Sequence, residues 1–319
     1  MTRLVVGDIH GCWAEFQELL DNAALKPGDE IIALGDIVDR GPGSVPVLDF
    51  FRTHAGARSL LGNHERKHIK SFQGLIAPAL SQVLSRRQWG ETAYPAAVAF
   101  MQTFPRYCEL DEAILVHGFF EPGVPLEKQD ERILVGVMTG ERKLQARCAQ
   151  PWYELYDGPK PLIVGHRDYL GTGQPLIVRD RVYCIDTGSC RGGALTGLLL
   201  PSFAIVSVRS RADYWAARCS VAPAALVEHA YAIIRRRYEQ VTAALRAECG
   251  YDGLSAGLQA RVFSGAVNSD PLGVYLQDMR KGKLSLAALH ARARMPHHLQ
   301  RLARIVHQAT ETERDENDE

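Results

Sequence analysis

No stretch of the 319-residue chain is apolar for long enough to span a bilayer. Nor does either sign of charge dominate: Lys+Arg and Asp+Glu both number 37, so formal net charge is zero. No global field therefore draws the chain toward nucleic acid or an anionic membrane, although a local basic patch stays open. Cys-x-x-Cys pairs are missing too, and the seven cysteines are odd in number and scattered. A reduced, cytoplasmic chain is the expectation. The N-terminus runs almost at once into the apolar Leu4-Val5-Val6, so no signal peptide is expected. No internal repeat occurs. The one strongly biased segment is the acidic tail, 311–319, expected to be disordered.

What the chain does have is an ordinary globular composition, 46% hydrophobic and 23% charged, and a recurring pattern of apolar run followed by polar loop. Ile31-Ile32-Ala33-Leu34 leads into Gly35-Asp36-Ile37-Val38-Asp39-Arg40-Gly41. Two carboxylates and an arginine within five residues are too polar for a core and suit a metal and an anion. Leu4-Val5-Val6 leads likewise into Gly7-Asp8-Ile9-His10-Gly11, and Ala57–Leu61 into Gly62-Asn63-His64-Glu65. Helical spacing at Phe16, Leu19, Leu20 and Ala23, and again at Val47, Leu48 and Phe51, fills the gaps. This is the βαβ rhythm of a largely parallel sheet.

The segment 66–106 reads as a helical insertion or cap, broken by Gly74, Pro78, Gly90 and Pro95. Two further strands end in His117-Gly118 and Gly165-His166, with a long polar connection between them. Arg179-Asp180-Arg181 and Pro201-Ser202 mark two hairpins. Helix-joined strands followed by hairpin-joined ones predict an α/β fold of two packed mixed sheets flanked by helices, spanning 1–220. The segment 221–310 reads as a helical C-terminal extension, with one face formed by Leu226, Ala230, Ile234, Tyr238, Val241 and Leu245. It carries twelve Lys+Arg against six Asp+Glu between Ser220 and Thr310, including Arg235-Arg236-Arg237. A solvated helix face and a nucleic-acid contact both fit that count.

The strand-end loops supply metal-type ligands in order: Asp8 and His10, Asp36, Asn63 and His64, His117 and His166. The intervals of 28 residues (36 − 8) and 27 residues (63 − 36) are each about one βα unit, so the ligands should line one sheet edge. Mixed oxygen and imidazole donors suit Mn, Fe or Zn better than Ca or Mg. Asp36 could bridge two ions, the usual device for activating a water and clamping a phosphoryl group.

These five motifs, in this order, resemble those of the calcineurin-like metallophosphoesterases, and within them the phosphoprotein-phosphatase branch: bacterial Ser/Thr phosphatases and the phosphatase module of bacterial polynucleotide kinase–phosphatase. The resemblance covers roughly 2–210, with Asp186-Thr187-Gly188 and Gly192-Gly193 resembling that family's final core strands. It implies that Asp8 and His10 hold a first metal, that Asp36 bridges, and that Asn63, His117 and His166 hold a second. Mn²⁺ is the leading candidate, with Fe, Zn, Ni or Co as alternatives. It implies that Arg40 clamps the phosphate, that His64 protonates the leaving oxygen with Asp39 orienting its ring, and that a metal-bound hydroxide attacks in line. In two places the chain departs from the pattern. Asp168 stands two residues after His166, where the wider superfamily often has a second His, and is a candidate metal ligand. Leu61 replaces a phosphate-binding Arg found in some relatives; Arg132 is the candidate substitute, and Arg167 a further substrate contact.

The expected substrate is a phosphomonoester of protein Ser/Thr, an RNA end or a nucleotide. A dinucleoside polyphosphate is the alternative: such relatives share Gly41-Pro42 but often lack an Asp like Asp39. A non-catalytic binding protein on the same fold is the second alternative. His54, His68, His229, His290, His297, His298 and His307 fit no motif and read as surface or satisfied histidines.

Overall fold

The computed structural model describes residues 1–76, 78–220, 224–267 and 272–293, together with 298, 301, 302 and 305. His297, His307 and the acidic tail lie outside the described residues, as does most of the helical extension beyond residue 293. The chain divides into two units, one comprising Met1–Ile76 with Ser81–Ala217, the other Ala77–Leu80 with Arg218–Glu319. No described helix is long and apolar enough to cross a membrane.

The first unit contains two sheets. The order in one is β11 (Ala204–Arg209), β10 (Ala194–Leu200), β1 (Arg3–Val6), β2 (Glu30–Ala33), β3 (Ala57–Ser59), with the short β9 (Asp186–Thr187) also pairing β10. The other runs β4 (Tyr107–Glu109), β5 (Ile114–Val116), β6 (Leu162–Val164), β8 (Val182–Cys184), β7 (Leu176–Val178). Strands β1, β2 and β3 are parallel, as are β5, β6 and β8; β10 and β11 in the first sheet, and the edge strands β4 and β7 in the second, pair antiparallel with their neighbours. Two mixed sheets flanked by helices are thus present.

The strands owe this arrangement to their period-two burial. Val5 and Ile32 face one way and join Leu115, Ile163, Ile185 and Leu198 in a core drawn from both sheets. Leu4, Val6, Ile31 and Ala33 face the other way, against Phe16 and Leu19 of α1 (Trp13–Ala23) and Val47, Leu48 and Phe51 of α2 (Ser44–Thr53). Ala97 and Met101 join that outer layer. They come from α4 (Leu80–Met101), which follows α3 (Asn63–Phe72) and is broken where Gly90 takes φ 66°.

One sequence expectation is corrected. The polar connection between His117 and His166 folds into α5 (Glu131–Leu134), α6 (Met138–Arg147) and α7 (Trp152–Leu155). Ile133, Leu134, Leu144 and Trp152 from these helices cover the outer face of the second sheet. Each helix is one to three turns long, so too few apolar positions recur for a 3.6-residue period to stand out. The strand β4 was missed for a related reason: it has only three residues, none of them buried.

After α8 (Tyr214–Ser220), the second unit is helical: α9 (Ala224–Cys249), α10 (Ala256–Val267), α11 (Gly273–Arg280) and α12 (Leu286–Ala293). Leu226, Ala230, Ile234, Val241 and Leu245 on α9 are buried, and α9 packs against each of the other three. The expected basic run lies on its exposed side, with Arg235 paired to Glu239 at 3.0 Å.

The two-sheet core makes a direct forecast. Ile32→Ala should cost about 2–5 kcal/mol in urea unfolding, as for other buried large-to-small changes. Ile177→Ala on the exposed part of β7 should cost under about 0.5 kcal/mol.

Candidate active site

The parallel strands bring their carboxyl ends together, and the loops that leave those ends hold the polar residues. Asp8 and His10 follow β1; Asp36, Asp39 and Arg40 follow β2; Asn63 and His64 open α3 directly after β3. His117 follows β5 and His166 follows β6. Five of these residues have left-handed backbones, with φ of 48° at His10, 49° at Asp36, 74° at Asp39, 62° at Arg40 and 71° at His166. Such conformations are costly outside glycine and persist only where surrounding contacts over-determine them.

Glu65 provides many of those contacts. It is fully buried, and its two oxygens accept four backbone N–H groups: Asp36 at 2.9 Å, Ile37 at 2.9 Å, Val38 at 3.3 Å and Gly62 at 3.1 Å. Burial and the nearby Asp36 push its pKa up to about 8. Four convergent donors oppose that and suit a carboxylate. A Cβ on Gly62 would overlap Asp36 Oδ1, so only glycine lets the two loops meet here.

Asp36 occupies the middle of the cluster. It belongs to two groups whose ligand atoms lie within 4.8 Å of one another, His10–Asp36–His64 and Asp36–His117–His166. His10 Nε2 is 3.7 Å from Asp36 Oδ2 and 3.8 Å from Asp8 Oδ2, and His117 Nε2 is 3.4 Å from Asp36 Oδ1. Asn63 Oδ1 is 3.1 Å from His117 Nε2. Every predicted ligand from Asp8 to His166 therefore converges on one place.

Whether these residues fit metal ions is answered by their free valences. Among the described residues, Asp8 Oδ2 and His166 Nδ1 are buried without a hydrogen-bond partner, an arrangement costly in itself. His10 donates Nδ1–H to the Val38 carbonyl at 3.0 Å, which leaves its Nε2 lone pair turned to the cluster. Burial, with Arg40 and His64 nearby, keeps His10 well below the usual imidazole range. Burial and His117 bring His166 down to about 3. Neutral imidazoles and carboxylates are the forms that bind metals, so the donor set fits two cations sharing Asp36.

His64 stands slightly apart in its bonding. Its Nδ1 is 2.5 Å from Asp39 Oδ2, while its Nε2 has no hydrogen-bond partner among the described residues. Asp39, fully buried, also meets His68 Nε2 at 2.9 Å through Oδ1 and accepts from the Gln82 amide. His68 Nδ1 is 2.9 Å from the Tyr94 hydroxyl. Burial alone would raise the Asp39 carboxyl, but the two histidines outweigh it and hold it well below its ordinary value. His68 thus reads as satisfied, yet its partner is Asp39. The sequence did contain a signal, since His64 and His68 lie one helical turn apart. Gln82 and Tyr94 carried none, because they come from α4.

Asp186, at the start of β9, was not foreseen as a site residue. Burial, Asp168 and Asp36 raise its carboxyl to about 6, opposed by the Gly188 N–H and Arg40. Asp8 is raised as well, by burial and then by Asp186 and Asp36. This excess of carboxylates would be relieved by cations.

The remaining predicted residues are placed as follows. Arg40 Nη1 lies 2.7 Å from His10 Nε2, within the cluster. Asp168 Oδ1 accepts the Gly171 N–H at 2.7 Å, and its charge contributes to raising the Asp186 carboxyl. Arg132 and Arg167 are not brought into the cluster. Arg132 is exposed and bound through Nε and Nη2 to Asp130, and Arg167 pairs with Glu141 at 2.6 Å. Asp130 thus takes the Arg132 fork, and Glu141 takes one Arg167 nitrogen.

This fold and this ligand set define a metal-dependent phosphoric-ester hydrolase. Residues 1–174 match the family described as calcineurin-like phosphoesterase, and the chain belongs to that family. Among curated proteins it is 29% identical over 237 residues to a bis(5'-nucleosyl)-tetraphosphatase PrpE (asymmetrical) of Bacillus cereus, covering 65% of this chain and 93% of that protein. It is 30% identical over 176 residues to a symmetrical bis(5'-nucleosyl)-tetraphosphatase of Shewanella baltica, covering 52% and 62%. Among solved structures, one described as a putative diadenosine tetraphosphatase aligns with TM-score 0.55 and 25% identity, covering 66% of this chain and 93% of that one.

Two measurements probe the local account. Glu65→Gln sets an amide N–H₂ against backbone donors and should cost about 3 kcal/mol or more in unfolding. The second concerns His64, which burial lowers to about 4 from an unfolded value near 6.5. Between those pH values the unfolded chain binds more protons, so stability rises with pH. The neutral His64 therefore contributes fully above about pH 6.5 and loses its contribution as pH falls to 4, by up to about 3 kcal/mol. In metal-free protein, His64→Gln should flatten that part of the stability profile; an unchanged slope would refute the assignment.

Proposed function

We propose that the chain hydrolyses a phosphomonoester at a centre of two divalent ions, with Mn²⁺ the preferred metal. The observation that carries this reading is Asp36, shared between two sets of donors, beside His64, whose Nδ1 meets the Asp39 carboxylate and whose Nε2 has no hydrogen-bond partner among the described residues. Asp8 and His10 would hold the first ion with Asp36, and Asn63, His117 and His166 the second. When bound, such a pair activates a water and neutralises phosphoryl charge.

The chain's own groups do the rest. Arg40 Nη1 now uses the His10 Nε2 lone pair, which a metal would claim. Arg40 Nη1 would then be left to a phosphoryl oxygen, in a charge-assisted bond. His64 Nε2 is the proton donor to the leaving oxygen. Burial keeps this imidazole neutral in the free protein. An incoming phosphate dianion raises its proton affinity, and Asp39 on Nδ1 compensates the imidazolium. His68 and Gln82 keep Asp39 aimed at His64.

A second reading has a specific observation in its favour. The curated relatives named above are bis(5'-nucleosyl)-tetraphosphatases, which supports a nucleotide as substrate and keeps a dinucleoside polyphosphate in play. The His64–Asp39 pair supports the monoester, whose alkoxide leaving group needs a proton. A binding protein that uses the fold as a scaffold is separated from both by turnover.

With Mn²⁺ and p-nitrophenyl phosphate, Asp36→Ala should lower kcat by more than about a hundredfold; equal rates would end the enzymatic reading. His64→Ala should cost about 10²–10⁴-fold on alkyl phosphates and far less on p-nitrophenyl phosphate, whose leaving group departs without a proton. Equal losses on both would count against His64 as the acid.

A further inference from the structure

Beside the metal-ligand cluster is a pocket of about 410 Å³ between α6, α7 and the loop after β6. That volume lies within the range of small-molecule sites, about 300–1,000 Å³. Its walls are aromatic: Trp152, Tyr153, Tyr169 and Phe119 all line it. Tyr153 and Tyr169 meet edge to face with centroids 5.1 Å apart, and the Tyr169 hydroxyl accepts the Trp152 indole N–H at 3.2 Å. Around these rings stand groups that could bond the edge of a heterocycle, Gln145 and Glu141.

The pocket also shares parts with the proposed phosphate site. The Phe119 ring lies 5.0 Å from the His166 ring on one side and 6.4 Å from Trp152 on the other. Arg167, which follows His166 in sequence, lines the pocket while paired with Glu141. A molecule that puts a phosphate at the metals and a planar body in this pocket would pass Arg167 on the way.

We infer that the pocket receives the nucleoside of a nucleotide substrate, with the base stacked on Tyr153 or Tyr169 and its edge read by Gln145 and Glu141. Stacking faces combined with a few polar groups are what a base requires. A phosphorylated Ser or Thr side chain has no planar body to fill such a space. This rests on the phosphoesterase reading above and narrows its substrate class to nucleoside 5′-phosphates, whether a mononucleotide or one half of a dinucleoside polyphosphate.

The test uses the full chain with Mn²⁺ and two variants, Tyr153→Ala, which removes a face, and Gln145→Trp, which fills the mouth from an exposed helix position. Adenosine, which has no phosphate, should bind the unaltered protein in calorimetry and bind each variant at least about tenfold more weakly, the scale of one lost stacking contact. KM for AMP or for diadenosine tetraphosphate should rise by a similar factor, the more affected of the two marking the physiological form. For p-nitrophenyl phosphate, kcat/KM should stay within about twofold. Adenosine failing to bind while p-nitrophenyl phosphate is turned over would overturn the nucleoside pocket and leave the phosphoesterase reading intact. Adenosine binding with no turnover of any phosphoester would do the reverse. A shift confined to a phosphoserine peptide, with adenosine indifferent, would assign the pocket to a peptide and refute the inference. Equal loss on all substrates would mark the variants as structurally damaged, and calorimetry on Gln145→Trp alone, with its unfolding midpoint checked, would then decide.

Discussion

One buried carboxylate holds the active-site loops in place. Glu65 enters α3 as its third residue and turns back, taking the N–H of Gly62 at the start of its own helix and three successive N–H groups of the loop after β2. Two segments nearly thirty residues apart are thereby fastened at a fixed distance. Asp36 is the first residue of the captured loop, so its side chain is presented to both ligand groups. The same capture helps to hold Asp36 at a positive φ, and Gly62, with no Cβ, admits the close approach.

Around that anchor the site is built in layers of decreasing generality. The parallel strands guarantee that their carboxyl ends share an edge, which is a property of the fold. The loops then place imidazoles and carboxylates so that several have unfilled valences inside the protein, which is costly unless cations complete them. Last comes the second ring of contacts, His68, Gln82 and Tyr94, which orients Asp39 and through it His64. Each layer depends on the one before, since the orientation of His64 has meaning only where Asp36 and its partners mark the reacting centre.

The fold's two sheets and the converging residues were legible because both rest on short-range rules. Short apolar runs ending beside a glycine and a carboxylate, amide or imidazole mark a strand and its loop, and intervals of 27 and 28 residues mark βα units. Asp186 escaped because its motif read only as a core strand, and its charge matters through neighbours from other loops. Arg132 and Arg167 were legible as cations but not as cations already engaged, since Asp130 and Glu141 become their partners through local turns and helix packing. The α5–α7 segment looked like a polar connection because its helices are too short to display a period. Those same helices create the aromatic pocket.

The sequence by itself determined the class of chemistry, because a metal site needs donor types in a fixed order on successive strand ends, and such an order is a linear property. It determined the two-sheet architecture as well, through alternation and turn chemistry. Only the tertiary structure decided which groups touch: that Glu65 holds the loop, that Asp39 is shared by two histidines, that α4 reaches back to the site, and that Phe119 lies between His166 and a pocket lined by aromatic rings. Those are relations between residues far apart in the chain. They depend on how helices pack against sheets, and no local pattern records them.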